Sequence, residues 1–434
     1  MKKLLLFVFG WIAITPLRAQ VSQDTLRITL PQAEAQFRQR NLQLMASKLG
    51  ISENQAYEWQ SKLWNNPSIY VEQMPYNSQT KEVMPLRQRN SEQVLQFQQL
   101  LLLAGKRNKQ LAIAKTNTEI AADRFYDLLR TLNYQLRTTF YDLYYTRQSL
   151  AVYGEEIGTL RQTVNLFQQQ YEKGNVPLKD LSRLKAYLFT LTTEQQQLLK
   201  KSTDDQADLA LLLNASPSTI IQPALENTGA RPDELRPNGA APSAVGQLSI
   251  NELYKTAEDN RYDLKAFRDL VIQEKQNLTL QKALAVPDLQ VQATYDRNAG
   301  YIPNYFGLGV GINLPVFNKN QGNIRAATIR TQSSQQATDA YRLQVDSEVQ
   351  RAYQKALLTD RLYRTFDQRF NDDFGKLIQG VTVNYKKQNI DVVEFLDFFD
   401  SYKVSQIQYT QLQNDRMQSL EELNYAVGTN LFAQ

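Results

Sequence analysis

Cysteine and histidine are both absent from the 434 residues of this sequence. Their absence excludes a Ser-His-Asp triad, a thiolate nucleophile, a zinc finger and a histidine-rich metal cage. No G-x-x-x-x-G-K-S/T sequence occurs, so ATP hydrolysis at a P-loop is excluded as well. After residue 19 no stretch approaches ~20 continuous apolar residues, and the mean hydropathy is −0.49, so no transmembrane helix is expected.

The composition is that of a folded protein whose main partner is not nucleic acid. Hydrophobic residues make up 42% and charged residues 21% of the chain, which does not suit a disordered protein. The formal charge is +5, and loss of Lys2, Lys3 and Arg18 with an N-terminal leader would leave 5 − 3 = +2. Such a small positive charge is too little for a nucleic-acid partner.

The N-terminus predicts a secretory signal peptide over residues 1–19. Lys2 and Lys3 precede an apolar run from Leu4 to Ile14, and Ala19 supplies a small residue at the predicted cleavage site. The run is too short to span ~30 Å of hydrocarbon, which disfavours a membrane anchor. Since the chain has no cysteine, an exported protein without a lipid-modified N-terminal cysteine is expected.

An internal repeat divides the remaining chain. Residues 42–46 and 262–266 share leucine and alanine at a spacing of 220 residues, and three further landmarks recur in the same order: Pro67 and Pro287, Gly105 and Gly322, Tyr171 and Tyr385. This order predicts a first repeat over residues 20–215 and a second over 249–434. Between them, residues 216–248 hold five of the 14 prolines and are expected to form an irregular connector in the equatorial region.

Each repeat is predicted to contain long helices. Shorter polar helical patterns cover residues 31–65 and 250–285. Proline-poor runs predict long helices over four ranges, 104–170, 178–214, 319–384 and 390–428. In the first of these, Leu129, Leu132, Leu136, Thr139 and Leu143 form a heptad stripe. At 1.5 Å per residue such a helix would reach roughly 90–100 Å, so we expect these helices to form walls.

Four segments predict β-strands in two hairpins, at about residues 67–75, 92–100, 288–297 and 304–314. Apolar residues alternate with polar or small ones, most clearly from Phe306 to Leu314. Segments of ~9–11 residues with this pattern fit membrane β-strands, although a strand of a soluble sandwich would alternate in the same way. Four strands cannot close a barrel alone, but three copies would supply 12. If the barrel interpretation is right, the protein is therefore a homotrimer.

The order of elements in each half resembles the TolC family of outer membrane efflux ducts, over about residues 30–430. Each half has a helix, a β-hairpin, a very long helix, a tip turn and a return helix. The segment from Leu314 to Gly322 (LPVFNKNQG) and Gly105-Lys106-Arg107 at the equivalent point are most similar to the CzcC-type subgroup, which is associated with heavy-metal efflux.

This resemblance implies a fold class, a location and partners. The fold would be mainly α with a membrane β-barrel, and a trimer would combine a 12-stranded barrel with a long α-helical barrel. The implied function is passive export through the exit duct of a tripartite efflux pump, in the outer membrane with the helical barrel in the periplasm. The implied partners are a periplasmic adaptor, an inner-membrane pump of RND type and outer membrane lipid, with no cofactor and no enzymatic activity. Heavy-metal cations are the implied substrate, and a drug or another small molecule is the alternative.

The tip pattern of the family, Tyr-x-x-Gly-x-x-x-x-x-(acidic)-x-Leu, singles out residues near both tip turns. Tyr171, Gly174 and Asp180 approach it in the first repeat. In the second repeat Tyr385 and Glu394 approach it, although Gln388 replaces the glycine. The turns that would meet the adaptor are Gly174-Asn175 and Gln388-Asn389, whose alternative role is only that of a tight turn.

Two carboxylates near the second tip are candidates for a selective aperture. Glu394 and Asp397 are three residues apart and would share one face of a helix. Three symmetry-related copies would then form two carboxylate rings that attract cations. The equivalent positions in the first repeat are Asp180 and Arg183, and Arg183 could pair with a carboxylate of the neighbouring hairpin to lock the mouth. The alternative is that all four are solvated charges.

Two other classes of protein remain as alternatives. A periplasmic coiled-coil scaffold would share the long helices, but it would not explain hairpins at matching points of both repeats. A secreted hydrolase with a carboxylate pair is the other alternative, although a heptad-rich chain offers no obvious cleft.

Overall fold

The computed structural model describes residues 25–86, 91–225, 245–299, 302–365, 369–387 and 389–432. The predicted signal peptide, residues 226–244 of the connector and Gln388 lie outside these residues. In the described part, no helix has a stretch that is both long and apolar enough to cross a membrane.

The first repeat is dominated by one very long helix. In chain order its elements are β1 (Thr25–Thr29), α1 (Leu30–Arg40), α2 (Leu42–Ser61), β2 (Ser68–Gln73), β3 (Tyr76–Asn77), β4 (Glu82–Val83), β5 (Gln93–Leu101), α3 (Lys106–Glu172) and α4 (Leu178–Leu212), followed by β6 (Ile220–Ala224) in the connector. The 67 residues of α3 correspond to about 100 Å of helix. The helix continues without interruption through Gly154 and Gly158.

The predicted second repeat has a similar order, with two short helices, a pair of strands and then long helices. A 3-10 turn (Val245–Gln247) is followed by α5 (Ile250–Asn260), α6 (Tyr262–Leu284), β7 (Leu289–Ala299), β8 (Ile302–Ile312), α7 (Gln321–Thr365), α8 (Arg369–Lys386) and α9 (Val392–Val427). The helix predicted over residues 319–384 corresponds to α7 and α8, which lie on either side of residues 366–368, outside the described part.

One four-stranded sheet joins the two repeats. Its order is β2-β5-β7-β8, and all three pairings are antiparallel. Each repeat contributes one pair of strands, and the join is made between β5 and β7. Within this sheet β2 and β8 are the edge strands, and each has one hydrogen-bonding side without a partner in the described part of the chain.

The register gives this sheet one apolar and one polar face, since paired residues point to the same side. The apolar face contains two complete rows, Ile69-Phe97-Ala293-Leu308 and Val71-Leu95-Tyr295-Phe306. Leu308 is 78% exposed, so this face is not covered within the chain. On the polar face Gln96 donates to Gln292 at 2.7 Å, and a Cβ at Gly309 would come within 2.7 Å of the Gln292 amide. Glycine at that position therefore makes room for a polar side chain that lies along the sheet.

The shorter helical patterns differ from the expectation, because each is broken into two helices. The breaks fall at Asn41 and Arg261, which have extended backbones and are 5% and 2% exposed. The Asn41 amide donates to the carbonyl of Leu212 at the end of α4, and Arg261 donates to that of Ala426 near the end of α9. The two repeats thus use the same device, in which a buried polar side chain ties the break to the last helix of its repeat.

Three apolar clusters hold the helices together. The first lies among α1, α3, α4 and β6, and includes Phe37, Leu136 and Phe140. The third lies among α5, α7 and α9, around Val349. The second cluster packs α3 and α4 against α8 and α9, next to the turns between those helices. It positions the side chains of the predicted mouth.

Candidate channel mouth

The turn between α3 and α4 is a Schellman motif closed by glycine. Gly174 has a left-handed φ of 77°, and its N–H donates to the carbonyl of Tyr171 at 2.9 Å. The N–H of Asn175 donates to the carbonyl of Gln170, and the Asn175 amide also donates to the Gln170 side chain at 2.8 Å. The sequence pattern had marked Gly174 and Asn175, and the hydrogen bonds explain why these residue types end the helix here.

The turn between α8 and α9 has the same closing hydrogen bond. The N–H of Asn389 donates to the carbonyl of Asn384 at 2.9 Å, over the same separation as Asn175 and Gln170. The Asn389 amide also donates to the Asn384 side chain, at 3.2 Å. Gln388, which replaces the glycine, lies outside the described residues. Asn389 nevertheless makes the same backbone and side-chain hydrogen bonds as Asn175, so the two tips are similar just before the return helix begins.

The return helix α9 begins with a side-chain cap. The Asp391 carboxylate accepts the N–H groups of Val393 and Glu394 at 2.8 and 2.9 Å. This cap satisfies two of the free N–H groups of the first turn and places negative charge at the positive end of the helix. Its effect is to fix the direction in which α9 leaves the tip.

The four predicted aperture residues lie on the first turns of the return helices. Glu394 and Asp397 are both exposed on α9, one turn apart. Asp180 and Arg183 are at the equivalent place on α4, where Arg183 is exposed and Asp180 is half-buried. Within the described residues none of the four forms an ion pair. The lock between Arg183 and a neighbouring carboxylate stays a prediction, as do the acidic rings.

An aromatic stack beneath these charges was missed by the sequence analysis. Tyr385 is 2% exposed and lies between Phe167 and Phe395, with ring centroids 4.8 and 4.2 Å away and nearly parallel planes. Burial raises the pKa of Tyr385, and the nearby carboxylates of Asp180 and Asp391 raise it further. The stack joins α3, α8 and α9 directly behind the mouth. The spacing of Val392, Phe395 and Phe399 on α9 is a local signal from which this buried face could have been predicted.

No resident metal site is present among the residues that the structure describes, since no group of three or more carboxylates is suitably placed. The arrangement at the mouth is a set of exposed charges on a rigid apolar support. Such an arrangement can attract or repel ions in solution.

Comparisons with known proteins agree with this architecture. Residues 253–429, most of the second repeat, match the family model described as outer membrane efflux protein. No curated protein sequence is significantly similar to the chain. Among solved structures, the fold is similar to that of the outer-membrane channel OprN, with a TM-score of 0.71 and 15% identity over 93% of this chain and 90% of that one. It is similar to that of VceC from Vibrio cholerae, with a TM-score of 0.70 and 15% identity over 93% of this chain and 97% of that one. It is also similar to that of the CmeC outer membrane channel from Campylobacter jejuni, with a TM-score of 0.73 and 11% identity over 92% of this chain and 86% of that one.

These matches confirm the fold class. Over more than nine-tenths of its length the chain has the fold of outer-membrane channels. The likeness to these solved structures, at identities of 15% or below, concerns the fold alone. The match to the family model covers residues 253–429, which is most of the second repeat.

Proposed function

We propose that this protein is the outer membrane exit duct of a tripartite efflux system. One observation carries the proposal: a single sheet with an exposed apolar face stands at one end of two repeats whose helices extend far beyond it. Such a face needs lipid or protein to cover it. The helix α3, at about 100 Å, is long enough to carry a wall deep into the periplasm.

Trimerisation supplies the closure that one chain lacks. The free edges of β2 and β8 can each pair with another copy, and three copies of a four-stranded sheet give 12 strands. The apolar rows would then face lipid and the glutamine-rich rows would face the pore. Glutamine, threonine and glycine would line this part of the pore without blocking it.

The partners follow from the same proposal. The tip turns, with Gly174, Asn175, Gln388 and Asn389, would meet a periplasmic adaptor, and an inner-membrane pump of RND type would supply the energy. Heavy-metal cations are the proposed substrate, because the CzcC-like segments point to them and the exposed mouth residues Glu394 and Asp397 carry negative charge. A drug or another small molecule is the alternative for the same duct.

Replacing Glu394 and Asp397 together with alanine is expected to reduce cation selectivity several-fold. In a trimer the change would remove two rings of carboxylates, whose field concentrates cations at a narrow mouth. The measurement is the reversal potential of single channels in a planar lipid bilayer under a salt gradient. Glu53→Ala on α2, which removes an exposed carboxylate far along the chain from the mouth, is the matched control.

Three other outcomes have distinct meanings. A silent wild type with large conductance steps in the variant would mean a duct sealed at its mouth by these residues. Equal selectivity in the wild type and the variant would refute the acidic rings while leaving the duct intact. Silence from both proteins, together with solubility in the absence of detergent, would instead support a periplasmic scaffold.

A further inference from the structure

A carboxylate is buried without a partner in the wall of the helical region. Glu156 on α3 is 5% exposed, and its Oε2 atom has no hydrogen-bond partner among the residues that the structure describes. It lies about 24 Å before the end of α3, counted at 1.5 Å per residue. The apolar residues Tyr153, Ile157 and Leu160 of the second cluster surround it in the sequence. Burial of an unpaired charge is costly, so this glutamate calls for an explanation.

The buried cation whose charge acts on Glu156 is already matched by two other carboxylates. Lys403 on α9 is 6% exposed and forms ion pairs of 3.0 Å with both Glu194 on α4 and Asp400 on α9. The hydroxyl of Tyr153 donates to Glu194 at 3.0 Å, and that of Tyr187 donates to Asp400 at 2.8 Å. Both ion pairs of Lys403 therefore go to other carboxylates, and Glu156 forms no ion pair within the described residues.

The surroundings of Glu156 favour its neutral form. The titratable groups whose electrostatic interaction reaches it in the described part of the chain are Glu155 on α3, Tyr187 on α4, and Tyr402 and Lys403 on α9. Tyr153, Glu194 and Asp400 interact with these groups in turn. Burial is the main cause that raises the pKa of Glu156, and the charge of Glu155 raises it further. The charge of Lys403 lowers it, and the resulting pKa is about 7.

We propose that Glu156 is a proton-binding site in the wall of the protein, and that its protonation controls how tightly α9 packs against α3 and α4. When protonated, the side chain is neutral and the three helices can pack around it. When ionised, it must either take up water or compete with Glu194 and Asp400 for Lys403. Each response loosens contacts of α9 with α3 or α4.

The position of Lys403 links this site to the mouth. Lys403 lies less than two turns beyond Asp397 on the same continuous helix, so a loosened α9 also frees the predicted aperture residues. An increase of pH would thereby favour a wider mouth. This consequence rests on the proposed channel function, whereas the proton site itself rests only on the packing of one chain.

The sign of the pH effect follows from linkage. The pKa of Glu156 is raised on folding from an ordinary value of 4.5 to about 7, so a locally opened state releases a proton between these pH values. Local stability should therefore fall as pH rises from about 4.5 to about 7, and then level off.

Hydrogen exchange between pH 5 and 8.5 tests the proposal on detergent-purified protein. After correction for intrinsic exchange rates, protection of residues 150–160 and 398–406 in the wild type should fall by up to tenfold per pH unit below about pH 7, and stay level above it. In Glu156→Gln, the protection should not depend on pH. Glu155→Gln, which changes an exposed neighbour, should keep the pH dependence with a slightly lower midpoint.

Two outcomes would overturn the proposal: wild-type protection that is flat with pH, or a Glu156→Gln variant with the same slope as the wild type. If Glu156→Gln does not fold, Lys403→Met replaces it. Loss of the cation should move the midpoint to higher pH, and an unchanged midpoint would then refute the site. Bilayer recording is independent of this test, because a protein without conductance could still show the exchange profile.

Discussion

Arg261→Met is expected to lower the free energy of unfolding by about 3–5 kcal/mol, because it removes the cation from a buried ion-pair network. Arg261 is 2% exposed and donates to Asp263 at 2.5 Å and to Glu348 at 2.7 Å. Methionine has a similar volume, but it would leave Glu348 without this partner. Asp263 would keep Arg130, Tyr341 and the backbone N–H of Leu264, but lose the guanidinium that forms its shortest hydrogen bond. Removal of one partner from a buried ion-pair network is destabilising, because the remaining carboxylates lose part of the interaction that offset their desolvation.

The same substitution should change the response to acid. Burial alone would raise the pKa of Asp263, but the hydrogen bond from Arg261 and the charge of Arg130 outweigh it and lower the pKa to about 2. A depressed pKa stabilises the folded state above about pH 4, and this contribution of roughly 2–3 kcal/mol is lost as pH falls from 4 to 2. Without Arg261 the pKa of Asp263 rises, so less stability remains to be lost in that range.

Thermal and denaturant unfolding in detergent at pH 7 and at pH 3 measure both effects. The control is Arg268→Met, which breaks an ion pair with Glu258 of similar length, 2.7 Å, where the arginine side chain is 41% exposed. A change within about 0.5 kcal/mol is expected for this control, because solvent screens the pair. Equal losses in the two variants would show that burial of Arg261 is not what makes it important.

The parts of the fold that could be predicted from the sequence depend on local pattern. Alternation over about ten residues located the hairpins, because neighbouring side chains on a strand point to opposite faces. The repeat could be found because its landmarks, such as Gly105 and Gly322, recur in order. Likewise, the spacing of Glu394 and Asp397 was enough to predict that they lie one turn apart on α9.

The parts that could not be predicted depend on contacts between distant segments. Asn41 and Arg261 look like ordinary polar residues of a surface helix, and only their bonds to the ends of α4 and α9 explain the breaks. Glu156 follows Glu155 in the sequence, yet one is buried and the other exposed. Which of two adjacent glutamates faces the core is decided by the packing of α4 and α9, which no local pattern records.

Phe395→Ala is expected to destabilise the protein by about 3–5 kcal/mol and to loosen the mouth. The Phe395 side chain is fully buried, with its ring 4.2 Å from that of Tyr385 and 5.3 Å from that of Phe399. Alanine would leave a cavity that the straight helices cannot fill by collapsing, and it would remove both aromatic contacts. The control is Val393→Ala, an exposed position in the same turn, where a change within about 0.5 kcal/mol is expected.

The effect of Phe395→Ala on the mouth follows from its place between the two predicted aperture residues. Glu394 and Asp397 are exposed, so the direction of their side chains depends on how the buried side of the same turn is held. Loss of the Phe395 contacts should therefore reduce hydrogen-exchange protection at residues 392–399 and increase the frequency of channel opening. The Asp391 cap remains intact in this variant, so the helix itself should still begin at the same residue.

If protection falls but channel opening does not change, the aromatic stack supports the tip without setting the width of the mouth. The gate would then depend on contacts between copies, such as the predicted pairing of Arg183 with a carboxylate of the neighbouring hairpin.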